Sequence, residues 1–218
     1  MKAVMSEVPA DILAWRKRTG ADRWDEMWEG VRHMPPMPNR EHQELEWAVE
    51  TYLRLHWARP RKAKVYHNIN VASPGGWPND YRIPDLVLVS PERFGIDRNE
   101  YFEGAPDVVV EIRRPGDETY GKLEFYVRLG VPEVWVIDRD TKAPEIYVLQ
   151  AGRYELRAVG VDGWVRSPLT AVELARTNPE SSRCVWRERR QAARTCRRTK
   201  VPALTPPRHE SPDSNPNR

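Results

Sequence analysis

Long apolar runs are missing from this chain. No stretch approaches the roughly 18–20 residues that a membrane-crossing helix needs, so no membrane partner is expected. The opening segment MKAVMSEVPADILAWRKR lacks the continuous apolar core of a secretory signal, so secretion is not expected either. Cysteine is nearly absent: Cys184 and Cys196, both late in 218 residues, are the only two. That excludes a disulfide scaffold and suits a reducing, cytoplasmic setting. No Cys/His cluster has zinc spacing. Net charge is small as well, +3 overall. Arg194, Arg197, Arg198, Lys200, Arg208 and Arg218 fall in residues 191–218, against Glu210 and Asp213 there, which leaves the preceding body close to neutral. Any attraction for a polyanion must come from local arrangement, not bulk charge.

What is present describes one ordinary globular domain, with 39% hydrophobic and 31% charged residues. Residues 9–25 read as a weak helix after Pro9. In WDEMWEGVRHM, alternation around Glu29-Gly30 predicts a hairpin, the glycine supplying the positive φ of a tight turn. Asn39 is a suitable N-cap for a helix over 40–57, with Leu45, Val49, Tyr52 and Leu53 at helical spacing. VYHNINVA reads as one strand, SPGGWPNDYR as loop, IPDLVLVS as a strand, and 91–105 as a polar connector. The run Val108-Val109-Val110-Glu111-Ile112 is β-branched enough for a central strand. A helix over 119–129, closed by Gly130, follows. PEVWVID and EIYVL are strands, with GRYELRAV and GWVRS continuing as antiparallel ribbon. There is no internal repeat. Composition makes 191–218 a basic, Pro/Ser-rich disordered tail. The order of elements gives an α/β (α+β) domain around one central mixed sheet flanked by helices.

Two of these strands carry a carboxylate each: Asp85 at the start of one and Glu111 near the end of the other. If the strands are adjacent and antiparallel, the two carboxylates converge. They then repel unless a cation joins them. Oxygen ligands of this kind suit Mg²⁺ or Mn²⁺. Lys122, on the helix that follows, can reach back over the sheet, with Tyr126 one turn further on the same side. A metal between two acids with an ammonium nearby is a phosphodiester-cleaving arrangement. The plainer alternatives are a structural ion pair of Glu111 with Arg113, Arg114 or Lys122, a turn role for Asp85, and a solvated Lys122 paired with Glu118. Asp117 suits a helix start, and Arg113 a structural or phosphate-contacting role.

The segments WDEMWEGVRHMPPMPNREHQ, YRIPDLVLV, PDVVVEIRRPGDETYGKLEFYVRLGVPEVWVIDRDT and SPLTAVEL resemble, in order, the Uma-type family of restriction endonucleases, a branch of the PD-(D/E)XK nuclease superfamily. The likeness runs over residues 11–190 and implies a restriction-endonuclease-like core. It implies that Asp85 and Glu111 are the motif carboxylates and hold the metal. It also implies that Lys122 is the motif lysine, moved onto the following helix. A first-helix acid often completes such a site; Glu41 and Glu44 are candidates, with His42 beside them. Arg114 stands where the family often has serine before the proline. The expected function is Mg²⁺- or Mn²⁺-dependent hydrolysis of nucleic acid, DNA before RNA, with catalytic residues Asp85, Glu111 and Lys122. Enzymes of this fold that cut both strands are often homodimers. Two rival functions are a non-cutting scaffold that binds nucleic acid or a protein partner, and a phosphodiesterase for small molecules.

Overall fold

A computed structural model describes residues 3–5, 7–176 and 184–188, so the tail expected over 191–218 lies outside the described residues. The main sheet has six strands in the order Arg153–Leu156, Pro144–Gln150, Glu133–Asp138, Val108–Arg113, Leu86–Val89, Lys64–His67. All neighbours are antiparallel except Val108–Arg113 and Glu133–Asp138, which run parallel. That parallel pair needs a crossover, and the helix Leu123–Leu129 supplies it.

The sheet buries both faces, which is why its central strands read as continuous apolar runs rather than alternating ones. On one face Leu45, Val49, Leu53 and Trp57 pack with Leu86, Leu88, Val108, Val110 and Ile112. On the other, Phe125 and Tyr126 pack with Val87, Val89, Val109, Val134 and Val136. The period-two alternation of a strand puts Glu111 on the second face, beside Tyr126.

Asn39 caps the helix Arg40–Tyr52, its side chain accepting the His42 amide at 3.0 Å. The helical path continues through a wider π turn, Leu53–Ala58, to Arg61, instead of stopping at 57. The hairpin Glu26–Trp28/Val31–Met34 forms where expected, with Glu29 and Gly30 at φ 50° and 86°. Gly130, at φ 80°, closes the helix Leu123–Leu129.

Other expectations needed correction. VYHNINVA is two strands, not one: Lys64–His67 in the main sheet and Asn70–Ala72 in another. Asn68 divides them at φ 49°, a left-handed conformation that asparagine tolerates better than most residues. The described residues also form three sheets, not one. The second, six-stranded, holds the Glu26 hairpin, Tyr81–Arg82 from the expected loop and Tyr101–Glu103 from the expected connector. The third joins Trp164–Arg166, Val172–Arg176 and Cys184–Glu188, so GWVRS leaves the ribbon. These short pairings rest on contacts distant in sequence, which local propensity does not encode. Among the described residues no helix is long and apolar enough to cross a membrane.

Candidate active site

The antiparallel register pairs Leu86 with Val110, and one step further places Asp85 opposite Glu111 at the open end of the strand pair. Asp85 Oδ2 accepts the Ile112 amide at 2.5 Å, so the carboxylate closes the ladder where a backbone carbonyl would otherwise do so. Both acids line one cleft of about 260 Å³ together with Lys122, Glu26 and Arg114.

Glu111 is 3% exposed. Its carboxylate accepts Lys122 Nζ at 3.0 and 3.2 Å and the Tyr126 hydroxyl at 2.6 Å. Lys122 ends the turn Thr119–Lys122, and Tyr126 lies one helical turn on, so both donors come from a single face. Burial pushes Glu111 up to about 8; Lys122 opposes the shift, while Asp85 and Glu26 add to it. For Lys122, burial alone would lower the pKa, but Glu111 and Glu26 outweigh it and hold the ammonium charged. The one ammonium is shared by two carboxylates with Asp85 close by, an excess of acid over base that a divalent cation would relieve.

Glu26 is a buried acid of this cleft that the sequence reading missed. It is 4% exposed and sits 2.8 Å from Lys122 Nζ. It also accepts the Ile83 amide at 2.8 Å and Trp28 Nε1 at 2.7 Å. One side chain thereby ties the hairpin to the ammonium and to the backbone two residues before Asp85. Its position before an expected hairpin turn was visible; its direction was not.

Glu46 was missed as well. The helix Arg40–Tyr52 turns His42, Leu45, Glu46 and Val49 inward, whereas Glu41 and Glu44 are exposed, Glu44 paired with Arg40. The spacing that placed Leu45 and Val49 in the core places His42 and Glu46 at its rim. His42 Nε2 lies 2.8 Å from Asp85 Oδ1. One ligand atom each from His42, Glu46 and Asp85 lies within 4.8 Å of the others, an imidazole-and-carboxylate set that fits a divalent metal ion. Glu46 accepts Asn68 Nδ2 at 3.0 Å, so the kink that splits the expected strand delivers a partner to this cluster. Burial and then Asp85 push Glu46 up to about 7. Burial alone would lower His42, but Asp85 and Glu46 raise it.

The remaining neighbours are engaged elsewhere. Arg113 pairs with Asp138, and Glu118 with His33 at 3.0 Å. Asp117 accepts the Arg114 and Thr119 amides at 2.7 and 3.1 Å, ordering the turn before Lys122. Trp77 stacks on Tyr101, with ring centroids 4.7 Å apart.

Residues 10–178 match the family model Uma2, described as "Putative restriction endonuclease". Among solved structures, the chain is similar to a protein from Anabaena variabilis ATCC 29413 described as "a putative nuclease belonging to DUF820". The two are 20% identical, with a TM-score of 0.54 over 66% of this chain and 81% of that one. No curated protein matches the chain. The shared architecture is the restriction-endonuclease-like fold, a mixed sheet flanked by helices.

Proposed function

The chain belongs to the Uma2 family of restriction-endonuclease description, and from that premise we propose that it is a metal-dependent endonuclease hydrolysing nucleic-acid phosphodiester bonds, DNA before RNA. The observation that carries this reading is the facing pair Asp85 and Glu111 at one open strand end, with the Lys122 ammonium already seated on Glu111. Asp85 and Glu111 would hold the metal, and the helix Arg40–Tyr52 would add His42 and Glu46, which cluster with Asp85, in place of the exposed Glu41 and Glu44. Mg²⁺ suits the carboxylates; the imidazole makes Mn²⁺ an equally good guest. A divalent ion bound there supplies a polarised phosphoryl oxygen and a water of lowered pKa.

Lys122 works as a charged donor. Held protonated by two carboxylates, it orients the attacking water and offsets negative charge developing on the phosphoryl oxygens. Tyr126 fixes the Glu111 carboxylate by donating its hydroxyl to Oε1, while Lys122 spans both oxygens. The protein acts in the cytoplasm, and a homodimer would bring two such clefts to two strands.

The test is calorimetric titration of Mn²⁺ into wild type and Glu111→Gln, beside cleavage assays on duplex DNA, single-stranded DNA and RNA with Mg²⁺ or Mn²⁺. Binding and cleavage in wild type, both weakened in the variant, support the reading. Absence of both in wild type overturns it in favour of a non-cutting scaffold.

A further inference from the structure

Two consecutive arginines leave the central strand Val108–Arg113, and the fold treats them differently. Arg113 is committed: it pairs with Asp138, and its guanidinium lies 5.5 Å from the centroid of the Tyr120 ring. Arg114 turns into the cleft that holds Asp85, Glu111 and Lys122. It is half-buried, and among the described residues it has no carboxylate partner. Its side chain makes one long hydrogen bond, from Nη2 to the Pro36 carbonyl at 3.4 Å. A guanidinium has five N–H donors in a planar fork, so most of its capacity is unused. Removing such a group partly from water without an anion is costly.

The position is nonetheless fixed. The Arg114 amide donates to Asp117 Oδ2 at 2.7 Å, and Gly116 at φ 75° turns the chain back toward Thr119. The surroundings are acidic: Glu26, Asp85, Glu111, Asp117 and Glu118 all line the cleft. Lys122 is taken by two of them. A phosphodiester entering this cleft meets five carboxylates, and the uncommitted cation among the lining residues is Arg114.

We propose that Arg114 is the phosphate-gripping residue of the cleft, its fork donating two N–H bonds to the non-bridging oxygens of a nucleic-acid phosphodiester. The inference rests on the nuclease reading and adds to it a binding role separate from bond breaking. Planar guanidinium and phosphate match in bidentate geometry, which an ammonium cannot reproduce.

Fluorescence anisotropy with a labelled DNA oligonucleotide in EDTA, at several salt concentrations, tests it in wild type, Arg114→Ala, Arg114→Lys and Arg113→Ala. Cleavage kinetics are run in parallel with Mn²⁺. The expected result for Arg114→Ala is binding weakened about tenfold, with the salt slope reduced by about 1. Its KM rises while kcat is held. Arg114→Lys falls between the two, and Arg113→Ala binds like wild type. Arg114→Ala that binds and cuts as wild type does would sink the inference and leave the nuclease reading standing. Wild type that neither binds nor cuts DNA or RNA overturns both. Circular dichroism confirms that each variant is folded, and Arg114→Lys keeps the test valid should the alanine variant not fold.

Discussion

Glu111 and Glu133 stand on neighbouring parallel strands, Glu111 level with Val136 and Glu133 level with Val108. Their exposures are 3% and 1%, and each sits in an apolar run, VVVEI or PEVWVID. Their partners differ in kind. Glu133 accepts from neutral donors alone: Trp135 Nε1 at 2.9 Å, Ser167 Oγ at 2.7 Å and the Leu169 amide at 2.8 Å. It fastens the main sheet to the turn before the strand Val172–Arg176. Glu111 is met by an ammonium and a phenol, and it opens on a cleft shared with Asp85. Burial of a carboxylate therefore does not mark a site. A cation held against it at the edge of a cavity is what sets Glu111 apart as a candidate.

The sharpest way to break this comparison is Glu111→Gln. Cleavage should fall on the order of 10³-fold, because the amide cannot replace a charged ligand. The melting temperature should fall only modestly: the amide oxygen still accepts Lys122 and Tyr126, and the amide nitrogen faces Lys122, which Glu26 still holds. A variant that unfolds instead would make Glu111 a second Glu133. Next in size is Lys122→Met, expected to cut activity about 10²-fold. It should also destabilise the protein by about 3 kcal/mol in urea titration, because Glu26 and Glu111 lose their shared cation. Glu133→Gln should show the reverse pattern. The new amide nitrogen must face either the Leu169 amide or the Trp135 and Ser167 donors, which costs about 2 kcal/mol of stability, while kcat per folded molecule is unchanged. A specific loss of kcat there would erase the distinction.

The smallest effect concerns a third buried glutamate, Glu46, which neighbours Asp85 without an ammonium of its own. Its pKa is raised from the usual 4.5 to about 7, so the folded state binds the proton more tightly than the unfolded state. The stability it contributes to the metal-free protein is fully present below about 4.5 and is lost as pH rises through about 7. Melting temperatures in EDTA across that window should therefore decline less in Glu46→Gln than in wild type. Equal declines would show that Glu46 titrates normally.

Features governed by neighbouring residues were legible in the sequence. The Asn39 cap, the Glu29-Gly30 turn and the Gly130 stop each follow from a local backbone need, and each forms as expected. The apolar runs identified the central strands, and their antiparallel pairing follows once Asp85 and Glu111 must meet. What escaped depends on direction in space. Glu46 shares a helix face with Leu45 and Val49, but the helical spacing was traced through apolar residues alone and passed over it. Glu26 belongs to a hairpin in a different sheet, and its reach to Lys122 spans nearly a hundred residues of sequence. Asn68 looked like one more strand residue, because left-handed backbone leaves no periodic trace.

The hydrogen bond from the Ile112 amide to Asp85 has a practical consequence. Most strand amides donate to peptide carbonyls, whose charge never changes. This one donates to a carboxylate at 2.5 Å. Its proton resonance must respond when Asp85 gains or loses a cation, with no nucleic acid present and no bond cut. A single cross-peak in an amide NMR spectrum would thus report occupancy of the site, and following it through a metal titration would rank candidate ions before any substrate is known.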